Sequence, residues 1–272
     1  MKSLFLLGTL LTALFTVPVQ ASQLCHPSTE HVEFCRNMRH LGTAINAIES
    51  QSVLMRIDAN YLGALAVEIY DTAQSAEKSF PTEFAKHKQY IDEVKKVALD
   101  LKTQSDTRDL NMLGTAHQMG RQCLNCHMAL PTEEGSTSWN QMFGNSWKTI
   151  NNECHQRGKN PYLCKTMNAI STNYNHIVTA YVAKKNNPNT IVAVSNEILR
   201  LLRDLGINRF DHMGVENRLQ AEQEVMTVIE MAKMQDPRAL EKARDLNKTC
   251  MACHDRVAGV GISQLPERIV WK

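Results

Sequence analysis

The sequence predicts an all-α protein made of two tandem antiparallel four-helix bundles. Three observations carry that expectation. Glycine (12) and proline (8) are sparse in 272 residues, and no alternating, strand-like run stands out. The apolar residues recur at helical spacing. The pattern of the first half of the chain also returns in the second.

The repeat is read from paired landmarks. Cys25, His26, Cys35 and Met38 fall on Cys154, His155, Cys164 and Met167. Near the end of each half the same Cys-x-x-Cys-His frame appears, as "CLNCH" from Cys123 and "CMACH" from Cys250. A matching apolar stripe leads into each frame, through Leu113, Ala116 and Met119 in one half and Leu240, Ala243 and Leu246 in the other. A unit of about 130 residues is too long for a solenoid repeat and suits a domain. The helix-breaking stretch "PTEEGSTSWNQ" around Pro131 and Gly135 marks the boundary, giving units 22–138 and 139–272.

Each unit holds four helix-length patterns. The first helix of unit one is drawn by Phe34, Met38, Leu41, Ile45 and Ile48, a seam spaced four and three residues apart. In unit two Leu163, Met167, Ile170, Tyr174, Ile177 and Tyr181 draw the same seam. Asn160 before Pro161 reads as an N-cap with proline at the first helical position, and Asp236 before Pro237 repeats that signal. The segment through Phe84, Ile91, Val94, Ala98 and Leu101 is a further amphipathic helix. Four such helices with short connections make an antiparallel bundle.

The first 21 residues stand outside this pattern. Lys2, the apolar run "LFLLGTLLTALFTV" and small residues ending at Ala21 read as a cleaved export signal. The run is short for a membrane span, and no later stretch is apolar enough for stable membrane insertion. Export to a periplasmic, oxidising compartment permits disulfides. Cys25 with Cys35 and Cys154 with Cys164, two pairs of identical spacing, are the expected bridges.

The other four cysteines belong to the two frames. Cys-x-x-Cys-His is the attachment signature of c-type haem. Positions i and i+3 share one helix face, so Cys123 with Cys126, and Cys250 with Cys253, can each bond one porphyrin. His127 and His254 then serve as proximal iron ligands. A zinc site would require two distant cysteine pairs to meet, and a thioredoxin-like motif would require a βαβ setting. The expected cofactors are therefore two covalently attached haems c, each on the last helix of its unit.

A helical unit of this length with its haem frame near the C-terminal end resembles the cytochrome c′ family. The resemblance extends over both repeats. It implies haem held inside the bundle, with the first helix facing the distal side of the iron. Met38 and Met167, on the first-helix seams, are then candidate distal ligands. The family's gas-binding members tend to carry a basic residue one turn after the haem histidine; here Pro131 and Ala258 stand there. The cysteine pairs are additions to the family pattern. His40 and His117 have no repeated counterpart and are expected at the surface or partly buried. His26 and His155 precede their helices and suit loop bonding.

The precursor carries a net charge of +2, but its halves differ. Residues 22–138 hold 11 basic and 15 acidic side chains, and residues 139–272 hold 18 and 13. Such a contrast suits weak, steered encounters with redox partner proteins. No concentrated basic patch points to nucleic acid. The function expected is one-electron transfer by a soluble periplasmic dihaem cytochrome, without enzymatic chemistry. The alternative is a five-coordinate haem protein that binds small gases such as nitric oxide or carbon monoxide.

Overall fold

The computed structural model of the chain describes residues 31–54, 56–129, 161–207 and 214–258. Among the described residues the backbone is helix and turn, with no strand, and no helix is long and apolar enough to cross a membrane. In chain order the elements are α1 (Val32–Val53), α2 (Ala59–Lys78), a 3-10 segment (Thr82–His87), α3 (Lys88–Thr107) and α4 (Met112–Ala129). After the undescribed stretch come α5 (Pro161–Val182), α6 (Pro188–Ile207), α7 (Val215–Lys233), the short α8 (Ala239–Ala243) and α9 (Asp245–Ala258). Export signal, unit boundary, Cys25, Cys154, His26 and His155 all lie outside the described residues.

The helices recur with the spacing of the sequence landmarks. α1 and α5 each have 22 residues, α2 and α6 each have 20, and both pairs are displaced by 129 positions, Val32 to Pro161 and Ala59 to Pro188.

Local chemistry sets the helix ends. The Asp58 carboxylate accepts from the Tyr61 amide at 3.1 Å and caps α2. α5 opens on Pro161 as its sequence signal predicts, and α6 opens likewise on Pro188. The start signal at Asp236 works differently. Its carboxylate accepts from the Arg238 amide at 2.9 Å, and helix begins only at Ala239, then breaks at Arg244 before α9. Three helix exits turn on left-handed residues that are not glycine: Arg108, Lys184 and Gln235, with φ of 55, 55 and 56°. Beyond them the amides of Asp109, Lys185 and Asp236 return to the carbonyls of Gln104, Ala180 and Met231, the closing bond of a Schellman turn.

Packing follows chain order within each half. α1 lies on α2, α2 on α3, α3 on α4, and α4 returns to α1. In the second half α5 lies on α6, α6 on α7, and α7 on both α8 and α9, while α8 returns to α5. The halves meet where α1 packs on α5 and α2 on α6. The apolar seams face inward: Phe34, Leu41, Ile45 and Ile48 of α1 are buried, as are Ile170, Tyr174 and Ile177 of α5. Met38, Leu163 and Met167 are partly buried against the same core. Tyr181, expected to close the α5 seam, instead lies 38% exposed with the Arg244 guanidinium 5.5 Å from its ring centre. The segment containing Phe84 starts as 3-10 turns, so Phe84 is half-buried, whereas Ile91, Val94, Ala98 and Leu101 of α3 are buried.

α2 and α3 approach closely at Gly63. A Cβ there would stand 3.2 Å from Ser105 Cβ and closer still to Ser105 Oγ, whose hydroxyl donates to the Ala59 carbonyl. Gly63→Ala is therefore expected to destabilise the protein by about 1–3 kcal/mol through overpacking. In the Gly63→Ala/Ser105→Ala double variant the Oγ clash is removed and only the 3.2 Å approach of the two Cβ atoms remains, so denaturant unfolding should show a cost below the sum of the two single ones.

Candidate functional site

The two cysteine-histidine frames occupy helices that close their respective halves. In α4 the apolar stripe works as expected, since Ala116 and Met119 are buried and Leu113 is partly so. One helical turn separates Cys123 from Cys126, and both side chains are buried, Cys123 within the apolar core. Burial pushes the Cys123 thiol up to about 12, with the Cys126 thiolate adding to it, and pushes Cys126 up to about 11. Both therefore stand as neutral thiols. His127 is half-buried, and loss of hydration lowers its pKa, which keeps the imidazole neutral and its lone pair available.

The second frame follows the same plan. Leu240, Ala243 and Leu246 are buried and lead to Cys250 on α9, which is partly buried against the core. Its thiol is pushed up to about 12 by burial, then by the charges of Cys253 and Glu224. Beside it Thr249 donates to Glu224 at 2.9 Å. His254 continues the helix, and its side chain lies outside the described residues. None of the four frame thiols is in a disulfide. Cys35 and Cys164 are each disulfide-bonded.

Met38 sits on α1, which packs directly on α4. Met167 sits on α5, which packs on α8, the turn of helix leading into the second frame. Beside each methionine is a fully buried polar residue with an unpartnered atom, Asn37 Nδ2 and Thr166 Oγ1.

One residue near the first frame escaped the sequence pattern. His87, at the end of the 3-10 segment, is buried and donates from Nε2 to the Ala129 carbonyl at 2.8 Å, two residues beyond His127. That bond makes Nε2 the donor, while Nδ1 is buried without a hydrogen-bond partner. No apolar stripe marks it, so only the structure reveals it.

His117 lies where expected, with its side chain 55% exposed and Nδ1 3.0 Å from Glu49 Oε1. The expectation for His40 is overturned. Its position two residues from Met38 does turn it away from that seam, but the face it occupies is covered by α5. His40 is 0% exposed, its Nε2 lies 2.5 Å from Glu68 Oε1, and its ring stacks on that of His176 at 4.6 Å. Single-chain periodicity could not show this, because the covering helix comes from the other half.

His176 is neutral there. Burial, and then the neighbouring His40 charge, lowers its pKa to about 3, against the pull of Glu68. Burial alone would raise the Glu68 carboxyl, but the His40 hydrogen bond and the electrostatic pull of the two imidazoles outweigh it and hold the group below its ordinary value.

Comparison with family models, curated proteins and solved structures finds no match to this chain.

The junction makes stability depend on pH. A histidine buried neutral binds its proton only in the unfolded chain, so its contribution is complete above about pH 6.5 and is lost as the pH falls toward 3. The Glu68 contribution is present above the ordinary carboxylate value and fades below it. Unfolding free energy measured from pH 7 to 4.5 should fall with a slope approaching about 1.4 kcal/mol per pH unit from His176 alone. His176→Asn should flatten that slope.

Proposed function

We propose that the chain is an exported dihaem c-type cytochrome that carries single electrons between partner proteins in the periplasm. The observation that carries this reading is the repetition of Cys-x-x-Cys-His at the close of each half, with both first-frame cysteines buried. Four frame cysteines outside any disulfide, and a His127 imidazole that burial keeps neutral, are consistent with covalent haem attachment.

In this reading each half is a four-helix unit, 22–138 and 139–272, resembling cytochrome c′. Cys123 and Cys126 hold one haem by thioether bonds and His127 takes the iron, and Cys250, Cys253 and His254 do the same in the second half. Bound haem supplies a one-electron iron couple, and the chain sets its potential. Met38 and Met167 would complete the iron coordination as thioether ligands, which raises the potential. The apolar seams of α1 and α5 exclude water and lower the dielectric around the iron. The bridges of Cys35 and Cys164 tie down the chain where the methionine-bearing helices begin, with Cys25 and Cys154 as the proposed partners. The opposite net charges of the halves would steer donor and acceptor to different ends.

Reduced holoprotein should show sharp low-spin bands that carbon monoxide leaves unchanged. Bands that are broad and shift with the gas would favour the gas-binding alternative, and a shift in half the haem would mean that the halves differ. Cys123→Ala/Cys126→Ala should halve the haem content per chain by pyridine haemochrome assay. Met38→Ala/Met167→Ala should convert the spectrum to high spin while keeping both haems. Correctly matured protein without haem bands would overturn the reading.

A further inference from the structure

Where the two halves meet, three side chains from three helices converge out of reach of water. His40 comes from α1, Glu68 from α2 and His176 from α5, all at least nine-tenths buried, with one ligand atom of each within 4.8 Å of the others. Both imidazoles present Nε2 to the same carboxylate oxygen, at 2.5 Å from His40 and 3.6 Å from His176. Both rings are held from behind in a crossed arrangement. Thr179 of α5 bonds His40 Nδ1 at 3.0 Å, Thr43 of α1 lies 3.3 Å from His176 Nδ1, and the two hydroxyls bond each other at 2.6 Å. One atom aimed into the cluster, His176 Nε2, has no hydrogen-bond partner, and the second oxygen of the carboxylate, Glu68 Oε2, is likewise buried without one. Leaving such atoms unsatisfied in a core is costly, and native structures rarely do so without a reason.

We propose that His40, Glu68 and His176 form a binding site for one divalent transition-metal ion, with zinc the best chemical match. Two imidazoles and one carboxylate are a donor set that zinc accepts, leaving a fourth position for water. Ligating histidines characteristically have their second ring nitrogen fixed by a hydrogen bond, and here Thr43 and Thr179 stand at that position. The ion would give His176 Nε2 the partner it lacks and would bind the buried Glu68 carboxylate.

Loading changes the local geometry in a defined way. An ion at about 2.0–2.2 Å from each donor must push Glu68 and His40 apart from their present contact. The imidazoles, now 7° from parallel, must splay so that the ion lies in the plane of each ring. Among the described residues the site occurs once. At the repeated positions Ala169 and Ala47 replace the histidines, and Glu197, the counterpart of Glu68, is taken up by Gln51 at 2.9 Å and by Arg200. The inference does not depend on haem, because no residue of either frame takes part.

The test uses chelator-stripped mature protein, dialysed to equilibrium against zinc ions at neutral pH, because a buried site loads slowly. One zinc per chain should survive gel filtration and should raise the melting temperature. Glu68→Gln and His176→Asn should each abolish that zinc, Thr43→Val should weaken it about 10- to 100-fold, and His117→Asn, at the surface, should leave it unchanged. Should His176→Asn fail to fold, the isosteric Glu68→Gln decides. Wild-type protein that retains no zinc, or zinc that persists in Glu68→Gln, would overturn the proposal.

Discussion

A buried carboxylate constrains this molecule more than any apolar contact does. Glu68 is 3% exposed, and an isolated charge in that setting would be displaced by protonation or by opening of the core. His40 answers it from within the first half, and His176 answers it from the second. Neither half can supply the full set alone. The contact of α1 with α5 is therefore fixed in register, since sliding one helix by a turn would strand the carboxylate, both imidazoles and the two threonines. A purely apolar seam would tolerate such slippage far better.

The same junction holds further cross-links of this kind. The Tyr61 hydroxyl donates to Asn173 Oδ1 at 2.6 Å, and Gln51 of α1 donates to Glu197 of α6 at 2.9 Å. Lys185 reaches back from the second half to Ser75 at 2.6 Å. The first two of these bonds are buried, and polar groups so placed specify geometry because each has few acceptable partners. The outer helices, by contrast, meet their neighbours through aliphatic side chains such as Leu101 and Ile229, and their ion pairs lie at the surface, as with Glu77, Lys88 and Lys95. Surface pairs of that kind contribute little to stability.

Much of the helical framework was legible in the sequence. The 4-3 spacing from Phe34 to Ile48 located α1, and Pro161 located the start of α5, because amphipathic periodicity and helix-start chemistry are local. The break at Arg244 and the 3-10 segment before α3 were not legible, since both depend on what the chain must pack against. The helix exits at Arg108, Lys184 and Gln235 were hidden for a different reason: they adopt the conformation that glycine usually signals, without glycine. The frame residues were plain because the Cys-x-x-Cys-His pattern is contained within five consecutive residues. His40, His176 and His87 were not, since each acquires its meaning from a partner 28 or more positions away.

The 129-residue displacement has a consequence for how such a junction can evolve. Two separate copies of one unit meeting through α1 and α2 would form an isologous interface, in which every substitution appears on both sides of the symmetry axis. A histidine introduced at position 40 would then be introduced twice, and a pairing of unlike residues across the axis could not arise without its mirror image. Joining the copies in one chain removes that restriction and holds the two surfaces at high effective concentration whatever their intrinsic affinity. One carboxylate was thus free to gather two imidazoles while its twin gathered an amide and a guanidinium. Asymmetry became available to this fold when its two halves came to share a single backbone.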